Sequence, residues 1–313
     1  MNLLGSLKYL VALEEHKHFG RAAQACHITQ PALSNALRAM EEEFGTAIVT
    51  RGRTFVGFTP EGQRVLTSAR AMLHERELLR QDLDSGAASP KGALTIGVVP
   101  TAVPIAARFA ALLQARYPGI APVVLSLSSP EIETGLECLS LDLGLGYTDR
   151  LGQRGIRLAT LAQYTEHYFL LRRSASAGDA QLRFGPPITW ADAAAQPMCL
   201  LTPEMHNRTL VDAAFAAAGV TVKPVIQTNS ILTLALSVVA GDVCSVLPGA
   251  LVGAVRGYRE LEALPLTHPQ VLTPVGFMIQ ASDRRSRTLE TAISLAREPG
   301  WLAQVAANSG ALD

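Results

Sequence analysis

Gln30, Ser34 and Arg38 recur at every fourth position, with Asn35 beside them. On a helix that spacing gathers them along one face, while Leu33, Leu37 and Met40 fall on the other. The polar row offers amides, a hydroxyl and a guanidinium, the groups that read nucleic acid. A glutamine such as Gln30 pairs bidentately with an adenine edge, and Ser34 and Asn35 reach a base or a phosphate. Arg38 suits a phosphate, and Arg51 and Arg53 suit phosphates or the minor groove. Charge agrees locally. The whole chain is formally neutral, yet between His16 and Met40 the charged residues are Lys17, Arg21 and Arg38, and the nearby acids collect at Glu41, Glu42 and Glu43. Binding depends on the local field rather than the net charge. Helix pairs with one polar face also occur in ordinary bundles, so the spacing by itself leaves that reading open.

A second group lies further along. Hydroxyls and amides stand where strands are expected to run into helices: Thr101, Ser128 with Ser129, Thr202, and Asn229 with Ser230. Thr148 ends another strand, and His206 and Arg208 follow Thr202. In an open α/β sheet, ligands bind beyond the carboxyl ends of the strands, where helix N-termini offer free N–H groups to anions. Taken singly each hydroxyl is a helix cap. Their recurrence in two halves of the chain points to a pocket, with Thr101, Ser128, Ser129, Thr148, Thr202, His206 and Asn229 as its candidate residues.

The elements that must position these groups follow from periodicity. Leu3, Leu7, Leu10 and Val11 mark one helix and Phe19 to Cys26 a second, whose Ala22, Ala23 and Ala25 allow close crossing. Thr29 caps a third helix, Pro31 fits its first turn and Gly45 stops it. Short segments 47–50 and 54–58 form a hairpin around Arg51-Gly52-Arg53. Thr59-Pro60-Glu61 starts a helix to about Asp84, roughly 37 Å long. Its Val65, Ala69, Met72, Leu79 and Leu83 form a seam suited to a dimer coiled coil or to packing on its own domain. Residues 85–92 read as a hinge. From Ala93 strands and helices alternate in two runs. Extended stretches 156–171 and 261–280 connect two lobes with a cleft between them. The expected fold is an α-helical winged helix-turn-helix over 1–59 and a linker helix over 60–84. An α/β effector part of two Rossmann-like lobes follows over 93–313, lobe I being 93–161 with 268–313 and lobe II 162–267.

The segment FGRAAQACHITQPALSNALRAMEEEFGTAIVTRGRTFVGFTPEGQRVL carries Ala22-Ala23, Gln30-Pro31-Ala32-Leu33-Ser34, Glu41, Gly45, Arg51 and Thr59-Pro60-Glu61-Gly62. It resembles the N-terminal signature of the LysR-type transcriptional regulators. The length, the long helix and the two-lobed remainder fit the same family. The resemblance implies DNA contacts at Gln30, Pro31, Ser34 and Arg51, and an effector between periplasmic-binding-protein-like lobes. It also implies a homodimer or homotetramer. Asn35 stands where the family often has a basic residue, and Ile48-Val49 where it usually has Leu-Phe.

Other functions find little footing. The sequence holds no GxSxG, HExxH or P-loop, and no cofactor is expected. His16 and His18 alternate but have no third metal ligand near. Cys26, Cys138, Cys199 and Cys244 show no metal or redox spacing. A thiol-based sensor of the same architecture, using Cys199 with Cys244 or Cys138, stays as an alternative. So does an enzyme or solute-binding module dimerised by its N-terminal helices. No basic–apolar leader and no membrane-length apolar run occur, so the cytoplasm is the expected location. The expected partners are duplex DNA bearing an interrupted inverted repeat and a small carboxylate or oxoanion.

Overall fold

The computed structural model describes residues 2–52, 55–84, 90–149, 158–174, 181–281 and 284–310, with backbone alone at 51, 81, 82 and 84. Arg53 and most of the hinge at 85–92 lie outside the described residues, and the side chain of Arg51 does too. The chain divides into two compact units, with the break near residue 88.

In the first unit, α1 (Leu3–His16), α2 (Phe19–Ala25) and α3 (Gln30–Phe44) precede a hairpin of β1 (Val49–Arg51) and β2 (Phe55–Phe58) and the long α4 (Pro60–Asp84). Leu7, Leu10, Leu13, Ala22, Ala23, Leu33, Leu37, Met40 and Ile48 make its core. The small Ala22 and Ala23 are fully covered, as close helix crossing requires. The hairpin is antiparallel and shifts register after Thr50.

Among the described residues the second unit contains two five-stranded sheets and one two-stranded sheet. Its first half runs β3 (Gly92–Val98), a single 3₁₀ turn at Pro100–Ala102, α5 (Val103–Arg116), β4 (Ile120–Ser126), α6 (Ser129–Glu137), β5 (Leu143–Tyr147) and β6 (Leu158–Glu166). β7 (Tyr168–Arg173), β8 (Arg183–Phe184), β9 (Ile188–Thr189), α7 (Trp190–Ala193), β10 (Cys199–Leu201), α8 (His206–Ala217), β11 (Ile226–Thr228), α9 (Ile231–Ala240), β12 (Ser245–Pro248), α10 (Gly249–Ala254) and β13 (Leu261–Thr267) follow. The chain closes with β14 (Thr273–Gln280), α11 (Arg287–Ala296) and α12 (Pro299–Asn308).

One sheet has the order β4-β3-β5-β14-β6, parallel between β4, β3 and β5 and antiparallel around β14. The other runs β12-β7-β13-β8, and β9 also pairs with β13. β10 and β11 pair in parallel, and Met198 bridges Cys244. The two extended stretches seen in the sequence are therefore each two strands in different sheets. The chain leaves the first sheet at Glu166, enters the second at Tyr168, and returns between Thr267 and Thr273. These crossings place the ends of β3 and β5 opposite the start of α8.

The cores are separate. Phe109, Phe277 and Trp301 stack at the centre of the first lobe, with ring centroids 4.7 and 5.0 Å apart. The second lobe has one core on each face of its sheet: Tyr168, Leu170, Trp190 and Phe215 on one side, Phe169, Leu171, Leu234 and Leu247 on the other. Alternating residues of β7 feed the two faces, as a strand buried on both sides requires. None of the helices of the described residues is long and apolar enough to cross a membrane.

Candidate nucleic-acid interface and effector pocket

The helix that carries the first polar row is fixed at both ends. Thr29 Oγ1 accepts the Ala32 amide at 3.4 Å. Gly45 takes the left-handed conformation (φ 64°) and closes the other end, a backbone angle that glycine adopts without strain. Leu33, Leu37 and Met40 are buried, Gln30, Pro31, Asn35 and Arg38 are exposed, and Ser34 is half-buried. One face is thus spent on the core and the opposite one presents hydrogen-bonding groups to solvent. α2 is capped in a way not anticipated: His18 Nδ1 accepts the amides of Gly20 (3.0 Å) and Arg21 (3.3 Å). That assigns the proton of a neutral His18 to Nε2.

The hairpin is tied back to α3. Glu41 Oε1 accepts the amides of both Ile48 and Val49 at 3.0 Å. Thr59 Oγ1 donates to Ala47 O (2.6 Å) while accepting the Gly62 amide (2.9 Å) at the start of α4. Gly62 lies so close to the hairpin that a Cβ there would fall 2.0 Å from Ile48 O. Glu41, Thr59 and Gly62 therefore lock the hairpin in place beside α3, and Glu14 joins Arg70 of α4 at 2.8 Å.

In the second unit a small pocket that contains several hydroxyls lies between the lobes. Val99, Thr101, Ser128, Ser129 and Tyr147 line it from one side, and Leu201, Met205, His206 and Asn207 from the other. Its volume is about 10 Å³, room for a single water-sized group. Thr101 Oγ1 and Tyr147 OH share a 2.7 Å hydrogen bond, and Asn207 Nδ2 donates to Tyr147 OH at 3.3 Å. The His206 ring meets that of Tyr147 edge-on at 5.0 Å. Ser129 Oγ is buried with no hydrogen-bond partner. No Lys or Arg among the described residues lines the pocket. The first turn of α8 has no side-chain cap, and its Arg208 amide turns back to Met205 O at 2.9 Å.

Of the residues expected at this site, Thr101, Ser128, Ser129 and His206 line the pocket, while Thr148, Thr202 and Asn229 do not. The Thr148 hydroxyl turns toward Pro274 O at 3.5 Å. The Thr202 hydroxyl is buried with no hydrogen-bond partner, although its nearness lowers the Glu204 pKa. Asn229 is exposed and lines a separate, mostly apolar groove of about 510 Å³. Ser128 is itself engaged: its amide and hydroxyl donate to Glu131 at 2.8 and 2.6 Å, and these bonds lower the Glu131 pKa. That carboxylate answers the positive end of α6. Hydroxyls at strand-to-helix turns do not single out Tyr147 or Asn207, which also line the pocket. Tyr147 nonetheless ends the strand LGLGY, where a side chain points across the sheet's carboxyl edge.

Beneath the pocket is Glu166, completely buried. Its Oε1 accepts a long bond from Tyr164 OH (3.4 Å), and Oε2 has no partner. Burial pushes its pKa up to about 8, against the opposing pull of nearby Tyr147, Tyr164, Tyr168 and Thr101 hydroxyls. Burial and the Glu166 charge together raise Tyr147 and Tyr164 well above the usual phenol range.

Two family models account for most of the sequence. Residues 4–63 match the bacterial regulatory helix-turn-helix protein, lysR family, and residues 87–300 match the LysR substrate binding domain. The chain belongs to the LysR family. It is a LysR-type transcriptional regulator, of the kind that binds DNA and small-molecule effectors. The Escherichia coli DNA-binding transcriptional dual regulator OxyR is 26% identical over 289 residues, covering 90% of each chain. The Haemophilus influenzae hydrogen peroxide-inducible genes activator is 34% identical over 140 residues, 44% of this chain and 46% of that one. In fold, a full-length OxyR variant from Pseudomonas aeruginosa superposes with TM-score 0.70 at 23% identity, covering 94% of this chain and 97% of that one. CbnR complexed with its target DNA gives 0.66 at 18% identity, covering 94% and 98%. In this LysR chain Cys199 and Cys244 sit on neighbouring strands, with the Cys199 amide donating to Cys244 O at 2.8 Å. Their side chains nonetheless enter opposite cores, Cys244 beside Met198 and Cys199 beside Leu201. Burial raises both thiol pKa values.

Proposed function

We propose that this regulator reads duplex DNA through the exposed row of α3. Gln30 and Ser34 contact base edges, Pro31 packs at the groove, and Asn35 and Arg38 hold the backbone, with Arg51 and Arg53 of the hairpin gripping phosphates or the minor groove. The observation that carries this reading is the two-faced α3: its apolar side is buried and its Gln30, Asn35 and Arg38 are exposed. A helix of that kind inserts its N-terminal residues into a major groove. The partition into reader (1–59), linker helix (60–84), hinge (85–92) and two-lobed effector part (93–313) belongs to the same reading. So do dimerisation through α4, assembly into a tetramer, a role without catalysis and a cytoplasmic site of action. A two-fold dimer presents two readers, so the target is an interrupted inverted repeat. Selection from a pool of random duplexes tests this: enrichment of two half-sites in inverted orientation is expected, and no enrichment over the starting pool contradicts it.

The effector is a small carboxylate or oxoanion held by Thr101, Ser128, Ser129, His206, Tyr147 and Asn207. What supports this is the unpartnered buried Ser129 hydroxyl and the start of α8 without a side-chain cap, in a pocket lined by no Lys or Arg among the described residues. Such a site holds charge with oriented dipoles and hydrogen bonds. Because the pocket now admits only one water-sized group, a whole anion enters only when the lobes part, and occupancy selects one lobe arrangement. A thermal-shift screen of small acids and oxoanions tests the class, since a ligand of the folded state raises its stability. An effector that proves wholly apolar contradicts it. A disulfide switch between Cys199 and Cys244 is disfavoured by their placement on opposite faces of the sheet.

A further inference from the structure

Glu166 poses a problem the pocket alone does not explain. It is 0% exposed, sits where the chain crosses from one lobe to the other, and faces no Lys or Arg among the described residues. The groups facing it are Tyr147 from β5, Tyr164 from its own strand, Tyr168 from β7 and Thr101 from the turn after β3. Asp149 acts on Tyr168, His206 lies against Tyr147, and His167 is adjacent in sequence. Four hydroxyls thus surround the carboxyl, yet only Tyr164 bonds to it within 3.5 Å, and Oε2 is bare. The reason is that the others are committed elsewhere: Tyr147 to Thr101 at 2.7 Å and Tyr168 to Thr273 at 3.2 Å. A carboxylate buried with one oxygen that no protein group hydrogen-bonds is strongly disfavoured. This geometry is that of a neutral acid.

Tyr147 has one proton to give. While Glu166 is neutral, Tyr147 donates to Thr101, and the Thr101 proton is free to point into the pocket. Once Glu166 ionises, it draws the Tyr147 proton. Thr101 must then donate to Tyr147 and turns a lone pair toward the pocket. We propose that Glu166 is a positioning residue for the effector pocket: through Tyr147 it sets whether Thr101 offers the guest a proton or a lone pair, so that an anionic effector is bound together with one proton. No covalent bond changes; the proton comes from solvent and resides on Glu166. The pKa raised to about 8 by burial places this exchange near neutral pH.

The proposal rests on the anion reading of the same pocket, and the experiment separates the two. Full-length protein is titrated calorimetrically with formate, chloride and inorganic phosphate at pH 7 and pH 9, in buffers of different ionisation heat. The expected result is uptake of about one proton on binding at pH 9 and of only about a tenth of a proton at pH 7, with about tenfold weaker binding at pH 9 than at pH 7. Thr101→Val abolishes binding. Glu166→Gln keeps the neutral-pH affinity at both pH values with no proton uptake, and in Tyr147→Phe, whose own contact to the guest is lost, the weaker binding that remains no longer varies with pH. Infrared spectroscopy of the ligand-free protein at pH 7 shows the carbonyl band of a neutral acid, lost in Glu166→Gln. Anion binding at pH 9 without proton uptake, or pH dependence that survives both Glu166→Gln and Tyr147→Phe, overturns the proposal and leaves the anion pocket standing. Absence of the infrared band overturns it without any ligand. No binding of any of the three probes at either pH overturns both.

Discussion

Replacing Glu166 with glutamine removes a fully buried carboxyl whose proton affinity folding raises. Each tenfold change in that affinity is about 1.4 kcal/mol. A rise from 4.5 to about 8 therefore corresponds to about 5 kcal/mol of pH-dependent stability. The sign follows from proton counting. Between these values the folded chain binds more protons at this site than the unfolded chain, so stability falls as pH rises. The loss is absent below pH 4.5 and complete above about 8. Glu166→Gln has no proton to lose, so its stability minus that of the parent climbs by about 5 kcal/mol across the window. Burial lowers the His167 pKa, which weakens the fold as pH drops, but this occurs in both proteins and cancels in the difference. Denaturant unfolding followed by tryptophan fluorescence is the assay. The chain has two tryptophans, Trp190 and Trp301, one buried in each lobe of the second unit, so the signal reports the unit that contains Glu166. Parallel profiles from pH 5 to pH 9 would refute the reasoning, because Glu166 would then titrate alike folded and unfolded.

Gly62→Ala drives a Cβ against the Ile48 carbonyl and is expected to displace the hairpin from α4. DNA affinity should drop while the tryptophan-detected unfolding stays unchanged; normal DNA binding would show that the contact yields at little cost. Glu41→Ala leaves the Ile48 and Val49 amides without their acceptor, a loss of about 1–3 kcal/mol. Hydrogen exchange over residues 47–50 should quicken, and unchanged protection there would contradict the role given to Glu41. Mild peroxide should form no Cys199–Cys244 bridge, since the two side chains occupy different cores; mass spectrometry that finds this bridge in folded protein would overturn that geometry.

The DNA-reading unit was legible because its signals are local. Thr29, Pro31 and Gly45 punctuate α3, and the four-residue spacing of Gln30, Ser34 and Arg38 sorts its faces without knowledge of any neighbour. The role of Glu41 was visible only as part of a resemblance; its physical task, binding two hairpin amides, needs the fold to bring residues seven and eight positions apart together. The effector part was legible as alternating strands and helices. Its crossings were read as two long extended stretches because period-two patterning does not reveal which sheet a strand joins. Pocket residues were the hardest. Thr101, Ser128, Ser129 and His206 came from the rule that strands end at ligands, but that rule gives no direction to a hydroxyl. Thr148 turned out to face Pro274 O, and Thr202 to lie outside the pocket lining. Tyr147, Asn207 and Glu166 carried no signal as separate residues. What makes them a site is that residues 147, 166 and 207 meet only after the lobes fold.

The most direct test of the DNA-reading claim takes a duplex recovered by selection and compares it with an unrelated duplex of equal length, for the parent and for Gln30→Ala/Ser34→Ala. Each bidentate base contact discriminates by about 1–3 kcal/mol, and a dimer makes each contact twice. The double variant should therefore bind the selected and unrelated duplexes with nearly equal affinity, while keeping the salt-dependent non-specific binding that Arg38 and the hairpin supply. Retention of the parent's full preference for the selected duplex would contradict the assignment of α3 as the reader.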